Sequence, residues 1–194
     1  MFMPKESFHL TLENKKQLLT IARDSITSYL QVGKTPVIEK QTLSSILISK
    51  CGAFVTLHKD GSLRGCIGRF TANEALFEIV QKMAISAATD DSRFSKVEKK
   101  EMSQIDIEIS VLTPLIKIEN IDEIKMGKHG IYIKKGFSSG TFLPQVALET
   151  GWTKEEFLGY CARNKAGIGW EGWKDAEIFV YEAIVFGEKE LENL

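Results

Sequence analysis

In the stretch LRGCIGRF, Leu63 to Phe70, a thiol lies between two glycines, Gly65 and Gly68, and the trio is bracketed by Arg64 and Arg69. An arginine beside a cysteine favours the thiolate, the form that attacks electrophiles or binds metal. Alternation along an extended strand puts Arg64 and Cys66 on one face. A helix beginning a few residues later would act in the same direction through the positive end of its dipole. The glycines, lacking Cβ, either take left-handed backbone angles or let another group approach the chain closely. Against the reactive reading stands a plain one, in which Cys66 is a small buried hydrophobe.

Other residues of the right chemistry are dispersed. His129, in GKHGI, lies between two elements with glycine close on both sides, and would serve as a base to Cys66 in a Cys–His pair. Glu108 falls on the polar side of an alternating strand and could orient a histidine or act as acid or base. Arg93 follows Asp90, Asp91 and Ser92; it either pairs locally or joins Arg64 and Arg69 around a small anionic ligand, which suits a guanidinium fork. The segment SSGTFLPQ offers hydroxyls ahead of a helix N-terminus but lacks the lysine and spacing of a phosphate loop. No CxxC or HExxH pattern occurs, so neither metal nor other cofactor is expected.

These residues need elements to position them. Residues 12–32 read as an amphipathic helix capped by Thr11 and ended by Gly33, with Leu18, Ala22, Ile26 and Tyr29 on one face. CGAFVTL and LRGCI flank Asp60-Gly61, a tight hairpin signature. Thr71 and Glu74 suggest a capping box for a helix over 72–88, with a short helix around 97–102. QIDIEISVLTP alternates, with Ile105, Ile107, Ile109 and Val111 on one face, and Pro114 ends it. HGIYIKK and GTFL form a second hairpin around GFSSG. Pro144 suits a helix first turn. Thr153 and Glu156 cap a helix near 154–165, and AEIFVYEAIVF reads as one last strand. Hairpins mixed with helices, without a βαβ rhythm, indicate an α+β fold.

Composition narrows the class. With 194 residues, 43% hydrophobic and 26% charged, the chain can bury a core without disulfides or metal. A net charge of −1 gives no phosphate-backbone footprint, so nucleic acid is an unlikely partner and Trp152, Trp170 and Trp173 are expected to pack rather than stack on bases. Three cysteines make no disulfide framework and fit a reducing cytoplasm. The opening MFMPKESFHL does not read as a signal peptide, and no apolar run reaches the length expected of a membrane span.

Taken together, LRGCIGRF, AISAATDDSRF, IDIEISVLTP, GKHGIYI, GTFLPQVALETGW and CARNKAGI resemble, in order, the AMMECR-type domain family, whose bacterial and archaeal members are called protein A of the AmmeMemoRadiSam system. The resemblance runs over residues 52–186, within a single domain of 194 residues. It implies a mixed, largely antiparallel sheet with helices, arranged as two intertwined subdomains, one larger and one smaller, around a cleft. Carried over, the RGCIG motif and its companions would gather Arg64, Gly65, Cys66, Gly68, Asp91, Ser92, Arg93, Glu108, His129 and Pro144 in that cleft. The family name further implies association with a Memo-type protein and a radical SAM enzyme. The segment CARNKAGIGWEGW departs from the proline-containing pattern of many relatives, which puts any role for Lys165 in doubt. Two functions stay open: a thiol-dependent enzyme or enzyme component using Cys66, and a non-catalytic subunit that binds a protein or ligand.

Overall fold

The computed structural model describes residues 8–70 and 73–192. Its elements run α1 (Leu12–Val32), β1 (Ala53–Lys59), β2 (Ser62–Arg69), α2 (Leu76–Thr89), β3 (Ile105–Leu112), β4 (Ile116–Ile118), β5 (Gly130–Lys135), β6 (Ser138–Phe142), α3 (Pro144–Thr150), α4 (Lys154–Cys161), β7 (Glu177–Tyr181), β8 (Ala183–Gly187) and α5 (Glu188–Glu192). They divide into two compact units, one built from residues up to Leu112 and from Ile184 onward, the other from Thr113–Ala183. Each unit carries one four-stranded sheet, ordered β2-β1-β3-β8 in the first and β4-β7-β5-β6 in the second. The fold is α+β.

In the first unit β1 pairs antiparallel with both β2 and β3. One face of this sheet carries Ala53, Val55, Leu57, Ile105, Ile107, Ile109 and Val111, all buried with α1 and α2 in one hydrophobic core. The helices supply Leu18, Ala22 and Ile26 from α1 and Leu76, Ile79 and Val80 from α2, each fully buried. Tyr29, expected on that face of α1, is instead 40% exposed. Thr11 caps α1 reciprocally with Asn14, and Gly33 closes it in the left-handed conformation. The β1–β2 hairpin turns through Asp60 (φ 52°) and Gly61 (φ 78°), the doubly positive pair that matches strand twist.

Two helix expectations are corrected, the start of α2 and the short helix after it. The helix begins at Leu76 rather than 72, with Ala75 at its N-cap and the Glu78 carboxylate accepting the Ala75 N–H at 3.2 Å. Thr71 lies outside the described residues, as do residues 1–7, read above for a targeting segment. The expected 97–102 helix is a single 3₁₀ turn, Lys99–Glu101.

The second unit has its own core, in which Ile131, Ile133, Phe157, Leu158, Cys161 and Ala162 are fully buried. Pro144 opens α3, and the Thr153–Glu156 box caps α4. The hairpin turn between β5 and β6 is shorter than GFSSG suggested: Ser138, Ser139 and Gly140 are already in the strand, opposite Lys135, Lys134 and Ile133. The α4 helix stops at Cys161 and continues as a π turn, Ala162–Ala166. The expected single strand over 176–186 is two strands in different sheets. Glu182 interrupts it, held by Thr113 through one side-chain and one backbone bond: its N–H donates to Thr113 Oγ1 at 2.8 Å and its carbonyl accepts the Thr113 N–H at 2.9 Å.

Candidate functional site

The motif RGCIG lies on β2, at the edge of the first unit's sheet. Its glycines meet the chain on opposite faces. A Cβ at Gly65 would sit 2.1 Å from the carbonyl oxygen of Ala87, so this position exists without a side chain because α2 crosses directly above it. A Cβ at Gly68 would fall 2.1 Å from the ring of Phe54, which lies across the neighbouring strand and fills the space. Neither glycine has positive φ. Both are therefore explained by close packing, one against a helix and one under an aromatic ring.

Between them, Cys66 points to the half-buried face opposite the core. Register places it directly across from Thr56 on β1, and Thr56 directly across from Glu108 on β3. Cys66, Thr56 and Glu108 thus form one row over three strands, with Gly68, Phe54 and Ser110 in the next. The Thr56 hydroxyl donates to Cys66 Sγ at 3.2 Å. Sequence reading passed over Thr56, a plain strand former; only the register of β1 against its neighbouring strands reveals it.

The outward backbone groups of Cys66 are held from the loop after α2. Its N–H donates to Asp91 Oδ2 at 2.8 Å, and its carbonyl accepts from Arg93 Nη2 at 3.3 Å. Arg93 also donates through Nε and Nη2 to the two oxygens of Asp91, at 2.9 and 2.7 Å. The side-chain pair stands where a further strand would hydrogen-bond. Asp91 is buried, and its carboxyl is held far below its ordinary 3.8 by the Arg93 guanidinium first and the Cys66 N–H second. Arg93 keeps 56% of its side chain exposed, whereas Ser92 between them is exposed with its own face to solvent.

Arg64 does not stand beside the thiol as alternation suggested. The β1–β2 register slips between Leu57 and His58, which leaves Arg64 as the extra residue of a bulge. Its guanidinium turns to Glu101 (3.1 and 3.3 Å) and to the carbonyls of Ser95 (2.8 Å) and Lys96 (3.3 Å). Lys59 reaches the same carboxylate at 2.9 Å, and these partners pull the Glu101 carboxyl down to about 2, Arg64 contributing most. The helix end near the motif is also the reverse of that expected. Ala87, at Gly65, belongs to the C-terminal turn of α2, so the partial charge presented there is negative.

His129 and Pro144 belong to the second unit. His129 Nδ1 accepts the Lys125 N–H at 3.3 Å, and Nε2 lies 4.0 Å from Glu182. Burial pushes the imidazole below its ordinary 6.5, so it is neutral at neutral pH. Pro144 is buried at the first position of α3.

The other two thiols are unlike Cys66. Cys51 and Cys161 are buried in the two cores, and desolvation pushes them up to about 11 and about 12. Among the described residues, no group of three or more histidines, cysteines or carboxylates could hold a metal ion, and no helix is long and apolar enough to cross a membrane.

The chain is thus an α+β protein with a cysteine held at a sheet edge by an Asp–Arg pair. Residues 19–186 match the AMMECR1 family, and the chain belongs to it. A protein of Methanopyrus kandleri is 44% identical over 195 residues, covering 95% of this chain and 93% of its own length. A protein of Methanocaldococcus jannaschii is 41% identical over 93% of each chain. The crystal structure of an uncharacterised protein from Pyrococcus horikoshii is similar with a TM-score of 0.73 and 38% identity, covering 91% of this chain and 92% of that one.

Proposed function

We propose that this protein is a thiol-dependent enzyme, or the thiol-bearing component of one, with Cys66 as its nucleophile. One observation carries the reading: of three cysteines, Cys66 alone lies on a half-buried polar face, in a row with Thr56 and Glu108, with its backbone fixed by Asp91 and Arg93. In the reaction, the thiol proton would pass to a base, the thiolate sulfur would bond to an electrophilic carbon of a small substrate, and the leaving group would depart with the electron pair of its broken bond and take up that proton. Glu108 is favoured over His129 as the acid or base, because it shares the row of Cys66 while His129 Nδ1 accepts a backbone N–H in its own loop. Arg93, paired with Asp91 but with more than half of its side chain exposed, is the cation that meets an anionic substrate group, whereas Arg64, paired with Glu101, is largely buried. Gly65 and Gly68 let α2 and the Phe54 ring pack closely on either side of Cys66. Memo-type and radical SAM proteins are the expected partners, supplying or consuming the substrate in a cytoplasmic setting.

The test is substrate protection. A small-metabolite extract of cells that make the protein should shield Cys66 from iodoacetamide, and Arg93→Gln and Glu108→Gln should weaken the shielding. An extract that leaves Cys66 labelling unchanged, with partner proteins still bound by Cys66→Ser, would instead make the protein a non-catalytic binding subunit.

A further inference from the structure

We propose that Thr56 sets the reactivity of Cys66, its hydroxyl proton stabilising the sulfur as thiolate. This assignment rests on the reading of Cys66 as the reacting group. Three observations converge on it. The hydroxyl lies 3.2 Å from Sγ as the donor. Thr56 sits on β1, which is hydrogen-bonded on both sides, and a β-branched side chain there has little torsional freedom. Finally, the N–H and carbonyl of Cys66 turn outward to Asp91 and Arg93. The facing pair Thr56–Cys66 is therefore one whose backbones do not bond each other, the arrangement that brings cross-strand side chains closest. A donor aimed at sulfur stabilises the charged form more than the neutral one.

The charged and titratable groups around the thiol come from three directions. Glu108 is in the same row on β3, His58 and Asp106 face each other one pair further along that side of the sheet, and Asp91 and Arg93 flank the strand edge. None of these is a hydroxyl donor to Sγ. Thr56 is a neutral donor to sulfur that carries no charge of its own, so its removal changes the thiolate without changing the net charge of the site.

The experiment is the rate of iodoacetamide alkylation at Cys66 against pH, read by peptide mass spectrometry on the full chain. Wild type, Thr56→Val and Thr56→Ser are compared. The thiolate sulfur displaces iodide, which leaves with its electron pair, and the thiol proton goes to solvent. Thr56→Val should move the midpoint of the profile up by about 1 pH unit, the loss of one charge-assisted hydrogen bond. Below the midpoint the rate should drop about threefold, because roughly tenfold less thiolate is partly offset by its greater intrinsic nucleophilicity. The high-pH plateau should rise by about the same factor. Thr56→Ser keeps the hydroxyl and should restore the wild-type profile. A Thr56→Val profile that superimposes on wild type, or that rises at every pH with no change of midpoint, overturns the assignment; the latter is what mere loosening of the strand produces. If wild-type Cys66 itself reacts no faster than Cys51 and Cys161, the parent reading fails and this one with it.

Discussion

The peptide N–H of Cys66 donates to the carboxylate of Asp91 at 2.8 Å, from a residue 25 positions later in the chain. This bond joins the edge of the sheet to the loop that leaves α2. An edge strand has unpaired backbone groups that other chains can capture. Here the Asp91–Arg93 pair takes both groups at Cys66, so the thiol is presented from a fixed backbone and the strand edge is closed at that residue.

Asp91→Asn removes the charge that holds Arg93 and weakens the acceptor of the Cys66 N–H. Hydrogen exchange of the Cys66 amide should accelerate in this variant, with amides of β3 unchanged. In the wild type the carboxylate stays ionised well below 3.8, so its stabilisation is complete above that value and is lost only as pH falls through the lower folded value. Protection at Cys66 should therefore persist into moderately acidic solution.

Gly65→Ala tests why the motif has its first glycine. The new Cβ would meet the Ala87 carbonyl at 2.1 Å, and the obstacle is backbone. Displacing α2 should cost about 1–3 kcal/mol, the usual range for overpacking, measured by urea denaturation. A ligand-contact role alone would leave stability unchanged.

Glu101→Gln tests the anchor of Arg64 and Lys59. Arg64 and Lys59 hold the folded carboxyl down to about 2 against an ordinary 4.5. Its stabilisation is thus present above pH 4.5 and lost as pH falls toward 2. The variant should be roughly 2 kcal/mol less stable at pH 7 and should lose less stability between pH 4.5 and 2 than wild type.

His129→Gln tests whether the histidine works as a neutral cap. Its folded value lies below the ordinary 6.5, so wild type keeps the contribution above 6.5 and loses it as pH falls through the folded value. Gln can still accept the Lys125 N–H but does not titrate. The stability difference between pH 7.5 and pH 5.5 should shrink in the variant.

How legible this was in the sequence depended on whether the interactions were local. The α1 helix, the Asp60-Gly61 turn and the β3 alternation rest on neighbours a few residues apart, and their signals were direct. The start of α2 was misplaced because a T-x-x-E pattern at 71–74 competed with the Glu78 cap actually used. The bulge at Arg64 is invisible to alternation, since it is a property of strand pairing. The strand over 176–186 split because Glu182 is pinned by Thr113, 69 residues away. Cys66, Asp91, Arg93 and Glu108 could be named from residue type and family resemblance. Thr56 could not, because nothing but register sets it against the thiol.

The most direct measurement is the rate of iodoacetamide labelling at each of the three cysteines in the folded protein at pH 7.5, resolved by peptide mass spectrometry. Cys51 and Cys161 are buried and pushed up to about 11 and about 12, so they serve as internal references for inert thiols. The account predicts that Cys66 takes up label well ahead of both while the protein stays folded. Labelling of Cys66 only on unfolding, in step with the other two, would contradict it.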